Sequence, residues 1–239
     1  FKECLRMQPE NIQVYLQVAK IMLENIYDLP SLFETLPSSA RDAAPTTASN
    51  MIQHEQRPPF LDLVDEAISY CERAREIRQP SHPRALLLLA VAYSFKARQT
   101  SIHTDRQALF QAAINELREA IRLDPYDSIA YFHLAHNLAF LNDVREAISA
   151  IETSLRLQPD DKYSLHLYTI LLTSNKQMIQ AYTQIYKATN EFPDISLLLT
   201  KAAVEDQLYG SEQSILTCKE ALIVWKNDFE PVMNKQSSS

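Results

Sequence analysis

Along most of this chain, apolar residues return every three or four positions. Tyr15, Val18, Ala19 and Met22 do so, as do Leu63, Ala67, Tyr70, Cys71 and Ala74, and again Leu86, Leu89, Ala90 and Tyr93. That interval puts each set on one face of an α-helix. The pattern predicts helices from about Asn11 to near Tyr27 and over Leu61–Ile77, Arg84–Lys96 and Ala108–Leu123. It continues over Ser128–Phe140, Arg145–Leu157, Lys162–Ser174, Gln177–Glu191, Ile195–Tyr209 and Glu212–Trp225. Phe1–Arg6 reads as the end of an earlier helix. Polar turns separate the helices, most carrying proline, with Asn11 and Asp127 placed to cap those that follow. Asp28-Leu29-Pro30 predicts a stop.

A longer period overlies the helical one. Pro125, Pro159 and Pro193 are evenly spaced along the chain. Twelve positions before each comes Ala113, Ala147 or Ala181; eight before, Leu117, Ile151 or Ile185; five before, Ala120, Ser154 or Ala188. A 34-residue unit with this small, large, small, proline signature is the tetratricopeptide repeat, a helix–turn–helix. The expected fold is therefore all-α, a right-handed superhelical solenoid of such repeats. In the last pair the signature fits best one residue early, at Ser214, Cys218 and Ala221, with Gly210 at the turn.

The same count exposes two insertions. Pro80 follows Pro9 by thirty-seven more than one period, and Pro125 follows Pro80 by eleven more than one period. The first insertion carries Leu36-Pro37-Ser38-Ser39, Ala43-Ala44-Pro45-Thr46-Thr47 and Arg57-Pro58-Pro59 and lacks periodicity. It is expected to be disordered. The second lies around Arg98 to Gln107. The organisation expected is a partial repeat over 1–27, a disordered insertion over 28–60, repeats over 61–226 and a polar tail over 227–239. Phe1, Cys4 and Pro9 fit the last columns of the signature, so the chain is expected to begin inside a longer protein. No polar capping helix follows Trp225, so the solenoid is expected to continue or to dock there.

Composition narrows the function. The 239 residues hold one glycine, Gly210, where ordinary usage gives roughly seventeen. Walker loops, dinucleotide fingerprints and nucleophile elbows need glycines close together, and none can be drawn. A net charge of −7 argues against a nucleic-acid binder. No run of 18 apolar residues exists to span a membrane. Cys4, Cys71 and Cys218 form no C-x-x-C and fall on apolar helix positions, which reads as reduced core thiols of a cytoplasmic protein.

His133 and His136 share a helix, and His166 lies one position short of a full period beyond His133. Stacked repeats would bring the three near one another, but no carboxylate or cysteine completes a ligand set, so no metal or cofactor is expected. The stronger reading lines a groove with them. The first helix of each pair faces the concave surface of such solenoids. The register assigns Arg84, Leu87, Val91 and Phe95 to that surface, then Ile129, Phe132, His136 and Phe140, then Tyr163, His166, Ile170 and Thr173. Repeats that grip a peptide carboxylate need lysine, asparagine and arginine there. Leu87, Val91, Ile129 and His133 occupy those positions, which disfavours a carboxylate clamp. An apolar groove suits an amphipathic helix or another folded surface.

The residues between the columns carry a narrower likeness. Tyr163-Ser164-Leu165-His166-Leu167, Leu171-Leu172-Thr173-Ser174-Asn175-Lys176, Ile215-Leu216-Thr217-Cys218-Lys219 and Trp225-Lys226 resemble the middle of the tetratricopeptide repeat protein 7 family. Leu89-Ala90-Val91-Ala92-Tyr93-Ser94, the short insertion before Gln107-Ala108-Leu109, and Phe132-His133-Leu134-Ala135 are similar to it too. The resemblance covers roughly Arg84 to Lys226 and extends weakly back to Leu5. It implies a scaffold without catalytic or cofactor residues, holding a type III alpha phosphatidylinositol 4-kinase with a hyccin-like partner. A palmitoylated EFR3-type anchor would recruit that complex, so the scaffold would be cytoplasmic and peripheral at the plasma membrane. The long Pro30–Pro59 insertion departs from the family. Two readings stand: a kinase-complex scaffold using broad helix faces, and an adaptor or co-chaperone holding a short peptide or amphipathic helix in its groove.

Overall fold

The computed structural model describes residues 10–35, 60–77 and 82–236, and all regular structure among them is α-helical. The chain forms two compact units, residues 1–125 and 126–239. The boundary falls at Pro125, the first of the three evenly spaced prolines.

The first unit contains α1 (Ile12–Thr35), α2 (Phe60–Ile77), α3 (Pro83–Gln99) and α4 (His103–Leu123). Asn11 Oδ1 accepts the Gln13 amide at 3.1 Å, so the expected cap opens α1. α1 then runs through Pro30 to Thr35 instead of ending near Tyr27. A proline forfeits one bond of the helical ladder at a local cost of about 3 kcal/mol, and the surrounding turns here sustain the helix across it. Residues 28–35, expected as part of the disordered insertion, are therefore helical; 36–59, like Phe1–Arg6, lie outside the described residues. α1 packs on α2, α2 on α3, and α3 on α4. Leu16, Ala74 and Ala85 close one core cluster across α1, α2 and α3. α3 buries Leu86, Leu87, Leu89, Val91 and Phe95, apolar on more than one side as its sequence suggests. Cys71 is buried, and burial, helped by Glu72, pushes its thiol up to about 12, which leaves it an inert core thiol.

The eleven inserted residues before Pro125 enter as helix, not as loop. α3 has 17 residues and α4 has 21, against 13 and 14 in the pair that follows. The excess is four in one helix and seven in the other, and both pairs keep three-residue links. Eleven residues make about three helical turns, so the buried columns stay in phase across the insertion.

The second unit contains α5 (Ser128–Phe140), α6 (Val144–Leu157), α7 (Lys162–Ser174), α8 (Met178–Glu191), α9 (Ile195–Tyr209) and α10 (Ser211–Gln236). Each helix packs on the next, and first helices also touch, α5 on α7 and α7 on α9. The signature columns are the buried ones. Ala147, Ala181, Ile151 and Ile185 are fully buried, with Ser154 and Ala188 beside them, and Ala113, Leu117 and Ala120 of α4 follow the same rule. Small residues let helices approach, and each buried isoleucine between them contributes about 1.5–3 kcal/mol. Asp127, Asp143, Asp161 and Asp194 cap α5, α6, α7 and α9 by accepting backbone amides.

A conformational column recurs with the chemical ones. Asn142, Lys176 and Gly210 have φ of 63°, 60° and 90°, and each stands one full repeat period from the next. Each turns the chain from the first helix of a pair into the second. Gly210, with ψ of 176°, occupies backbone space that only glycine visits readily.

The last pair departs from the others in two ways. The expected one-residue slip holds only at Ala221, which is buried. Ser214 and Cys218 are half-buried, so Cys218 is not a core thiol, and Thr217 is buried instead, while Ile215, Leu216, Leu222 and Ile223 are exposed. α10 also passes Pro231 and continues to Gln236, so residues 227–236, expected as a polar tail, extend the helix. Between α9 and α10 lies a fully buried acid, Glu205. Its Oε2 accepts a short hydrogen bond from the Thr217 hydroxyl, and its Oε1 has no hydrogen-bond partner, with Lys201 Nζ 3.8 Å away. Such a pair fixes how α9 and α10 seat, because losing either partner strands a charge in the core.

Candidate functional site

The first helices of the second unit, α5, α7 and α9, present one adjoining set of side chains that no core requires. α5 is only 13 residues long and predominantly apolar, so it cannot bury every apolar residue against α6. Ala130, Leu134, Ala135 and Leu138 go inward, and Ile129, Phe132, His136 and Phe140 are left half-buried or exposed. Three of these stand four residues apart and stack along the helix. The Phe132 and His136 rings lie 6.1 Å apart and nearly parallel at 12°, and Phe140 meets His136 edge-on at 5.0 Å. The imidazole is thus held between two aromatic faces.

α7 supplies Tyr163, His166, Ile170 and Thr173. Tyr163 is 63% exposed and Ile170 43%, both high for large apolar side chains. His166 reaches the neighbouring first helix, with Nε2 2.7 Å from Thr200 Oγ1. The Thr200 hydroxyl donates to the Ser196 carbonyl at 2.9 Å, so it accepts from the imidazole, which fixes the Nε2–H tautomer. Burial pulls the His166 pKa below its ordinary value, against a smaller opposing pull from Asp194. The ring is neutral at pH 7 and serves as a fixed strut between α7 and α9.

α9 completes the face with Leu199, Thr200, Ala203 and Gln207, which the reading from sequence omitted. The signal was present: Thr200 follows His166 by one full repeat period, as His166 follows Phe132.

Two cavities lie along this face. One, of about 300 Å³, opens between α5 and α7 and is lined by Ile129, Phe132, His133, Gln158, Asp161 and Tyr163, with Ser128 and Ser154 beneath. The other, of about 350 Å³, opens between α7 and α9 over Ile170, Met178, Leu199 and Val204, edged by Thr173, Thr200, Ala203 and Gln207. Both fall at the small end of the range for ligand pockets. Neither is lined by lysine or arginine.

The expected groove residues therefore divide. Ile129, Phe132, His136, Phe140, Tyr163, His166 and Ile170 lie on the adjoining helices α5 and α7. Leu87, Val91 and Phe95 are buried in the first unit at 5% exposure or less, while Arg84 is exposed. The guanidinium of Arg98 lies 4.3 Å over the Phe95 ring. His166 hydrogen-bonds Thr200 and does not join His133 and His136, and no three metal-ligating side chains converge among the described residues. No helix among them is long and apolar enough to cross a membrane.

Comparison with known proteins agrees with this architecture. Residues 129–161 match the tetratricopeptide repeat family. Over 95% of its length the chain is 28% identical to tetratricopeptide repeat protein 7B of Mus musculus. Over 94% it is 24% identical to tetratricopeptide repeat protein 7A of Homo sapiens. It spans 23% of the length of either relative. Among solved structures, YrrB, described as a tetratricopeptide repeat protein with an unusual peptide-binding site, superposes with a TM-score of 0.58 at 13% identity. That match covers 99% of this chain and 97% of YrrB, and at such identity it shows the fold. The chain is an all-α tetratricopeptide repeat solenoid similar to the tetratricopeptide repeat 7 proteins.

Proposed function

We propose that this chain works as part of a non-enzymatic scaffold that assembles other proteins on its helix surfaces. By the resemblance to the tetratricopeptide repeat 7 family, the complex is that of a phosphatidylinositol 4-kinase with a hyccin-like subunit, brought to the plasma membrane by an EFR3-type anchor. The observation that carries the reading is similarity to tetratricopeptide repeat proteins 7B and 7A along almost the whole chain, insertion-bearing first half included. Affinity purification of the full-length protein followed by mass spectrometry tests it. A lipid kinase and a hyccin-like subunit recovered together are the expected result; recovery of neither overturns it.

A second reading is supported by the open α5–α7–α9 face with its two cavities. There the second unit captures a short peptide or an amphipathic helix, a use of repeat surfaces for which the YrrB description is a precedent. The readings separate on one variant. Replacing Phe132, His136 and Tyr163 with alanine abolishes capture on this face, whereas kinase co-purification through other helix faces survives.

A further inference from the structure

The two cavities of the second unit differ in chemistry, and the difference says what kind of side chain each receives. The cavity between α7 and α9 has no ionisable group in its lining. The one between α5 and α7 has a carboxylate, Asp161, set beside the rings of Phe132 and Tyr163. Asp161 Oδ2 accepts the Ser164 amide at 2.9 Å and caps α7. Its other oxygen accepts no hydrogen bond from the described residues, and no lysine or arginine pairs with it, although Lys162 follows it directly. Lys162 is drawn elsewhere: its Nζ lies 3.3 Å from Asp194 and 5.0 Å over the Tyr163 ring.

Neighbouring polar groups do not fill the role of a partner either. Ser128 Oγ donates to Gln158 Oε1 at 3.0 Å, and Ser154 Oγ donates to the Ser128 carbonyl at 2.9 Å. Ser164 Oγ is 3.2 Å from Ser154 Oγ, so these hydroxyls are occupied with one another. What remains on the lining is one unpaired carboxylate oxygen beside the rings of Phe132, His133 and Tyr163, the last already carrying Lys162 over one face. An anionic side chain would be repelled there, and an aliphatic one would leave the carboxylate unpaired. A guanidinium or ammonium satisfies both surfaces at once, by a charge-assisted hydrogen bond and by cation–π contact. The chain's net charge of −7 draws a basic partner from a distance as well.

We propose that the α5–α7 cavity receives an arginine or lysine side chain of a partner helix, with Asp161 as counter-ion and Phe132 and Tyr163 as walls. The α7–α9 cavity receives an aliphatic side chain of the same helix. This rests on the second reading above, that the α5–α7–α9 face captures a protein segment, and it assigns the chemistry of that segment. Packed helices lie about 8–10 Å apart. Along α7 the two linings, Asp161 and Tyr163 at one end and Ile170 and Thr173 at the other, also stand about 14 Å apart, so a leucine and an arginine eleven residues apart on a helix, about 16.5 Å, match the two cavities.

Three fluorescein-labelled, alanine-based helical peptides test the assignment. Each carries a leucine, and eleven residues on it carries arginine, norleucine or glutamate. Anisotropy titrations use the 239-residue chain and its Asp161→Asn and Leu199→Asp variants. Asparagine keeps the capping oxygen, and circular dichroism verifies that each variant is folded. The arginine peptide is expected to bind about tenfold more tightly than the norleucine peptide, with glutamate weakest. Asp161→Asn is expected to bring arginine down to the norleucine level without moving norleucine. Leu199→Asp should weaken all three. Equal binding of arginine and norleucine, or an arginine preference that survives Asp161→Asn, overturns the basic site while leaving the face as a binding surface. No binding by any peptide, or binding indifferent to Leu199→Asp, removes the surface and the site together.

Discussion

α3 in the first unit and α5 in the second are both first helices of their pairs, and their side chains meet opposite fates. Leu87, Val91 and Phe95 are buried, whereas Ile129 and Phe140 are 45% and 49% exposed. Both helices are apolar enough to be read as groove-lining. The difference lies in what surrounds them. α3 is lengthened to 17 residues and packs against α1, α2 and α4. α5 keeps the ordinary 13 residues and packs mainly on α6, with a slight contact to α7. The repeat register fixes which residues share a column; the neighbouring helices decide whether a column becomes core or surface.

Substitutions should separate the two columns sharply. Leu87→Ala in α3 removes a buried side chain and is expected to cost about 2–5 kcal/mol in urea denaturation. Ile170→Ala on the open face of α7 should stay within about 0.5 kcal/mol. A large loss at Ile170 would mean that the open face is core after all. Next in size is Lys201→Met, which leaves the fully buried Glu205 without its cation and is expected to cost about 3 kcal/mol. If that variant is as stable as the parent, Glu205 is held by Thr217 alone.

The turn column makes a smaller and purely backbone prediction. Gly210→Ala should cost about 1–3 kcal/mol although an added Cβ meets nothing within 4 Å, because the φ of 90° itself is the obstacle. Lys176→Gly should stabilise by about 0.5–1 kcal/mol, since lysine holds a φ of 60° against its preference. Thermal melts that move oppositely for these two variants would establish the column.

The smallest expected effect is a pH slope. His166 has its folded pKa lowered, chiefly by burial, so folding favours the neutral ring. Its contribution is complete above the unfolded value near 6.5 and is lost as pH falls from there through the lower folded value. His166→Gln, which keeps a donor for Thr200, should flatten the fall in melting temperature over that window. An unchanged slope would place the acid sensitivity in other groups.

Much of this was legible beforehand, for identifiable reasons. Ala147, Ile151, Ser154 and their mates were found because a buried column tolerates few residue types and so repeats visibly. The even spacing of Asn142, Lys176 and Gly210 went unseen because three unlike residues share a backbone angle and no side-chain property. Pro30 was read as a stop and residues 227–239 as a polar tail, yet a helix can forfeit one hydrogen bond and continue, as α1 does past Pro30 and α10 past Pro231. The eleven-residue insertion was counted correctly, but counting does not distinguish a loop from three helical turns. Asp161 escaped notice as a site residue because its capping role already explains an aspartate at that position. Glu205 was not singled out, because only the packing of α9 on α10 places this acid in the core.

The contrast between the two columns can be measured directly by hydroxyl-radical footprinting of the chain, alone and with the arginine-bearing helical peptide. In the free chain, Tyr163, Ile170 and Leu199 should be oxidised readily and Leu87, Val91 and Phe95 hardly at all. With the peptide bound, the first three should become protected and the second three should not change. Oxidation of Leu87 and Phe95 at the rate of Tyr163, or a bound peptide that leaves Tyr163 and Leu199 fully reactive, would contradict the account.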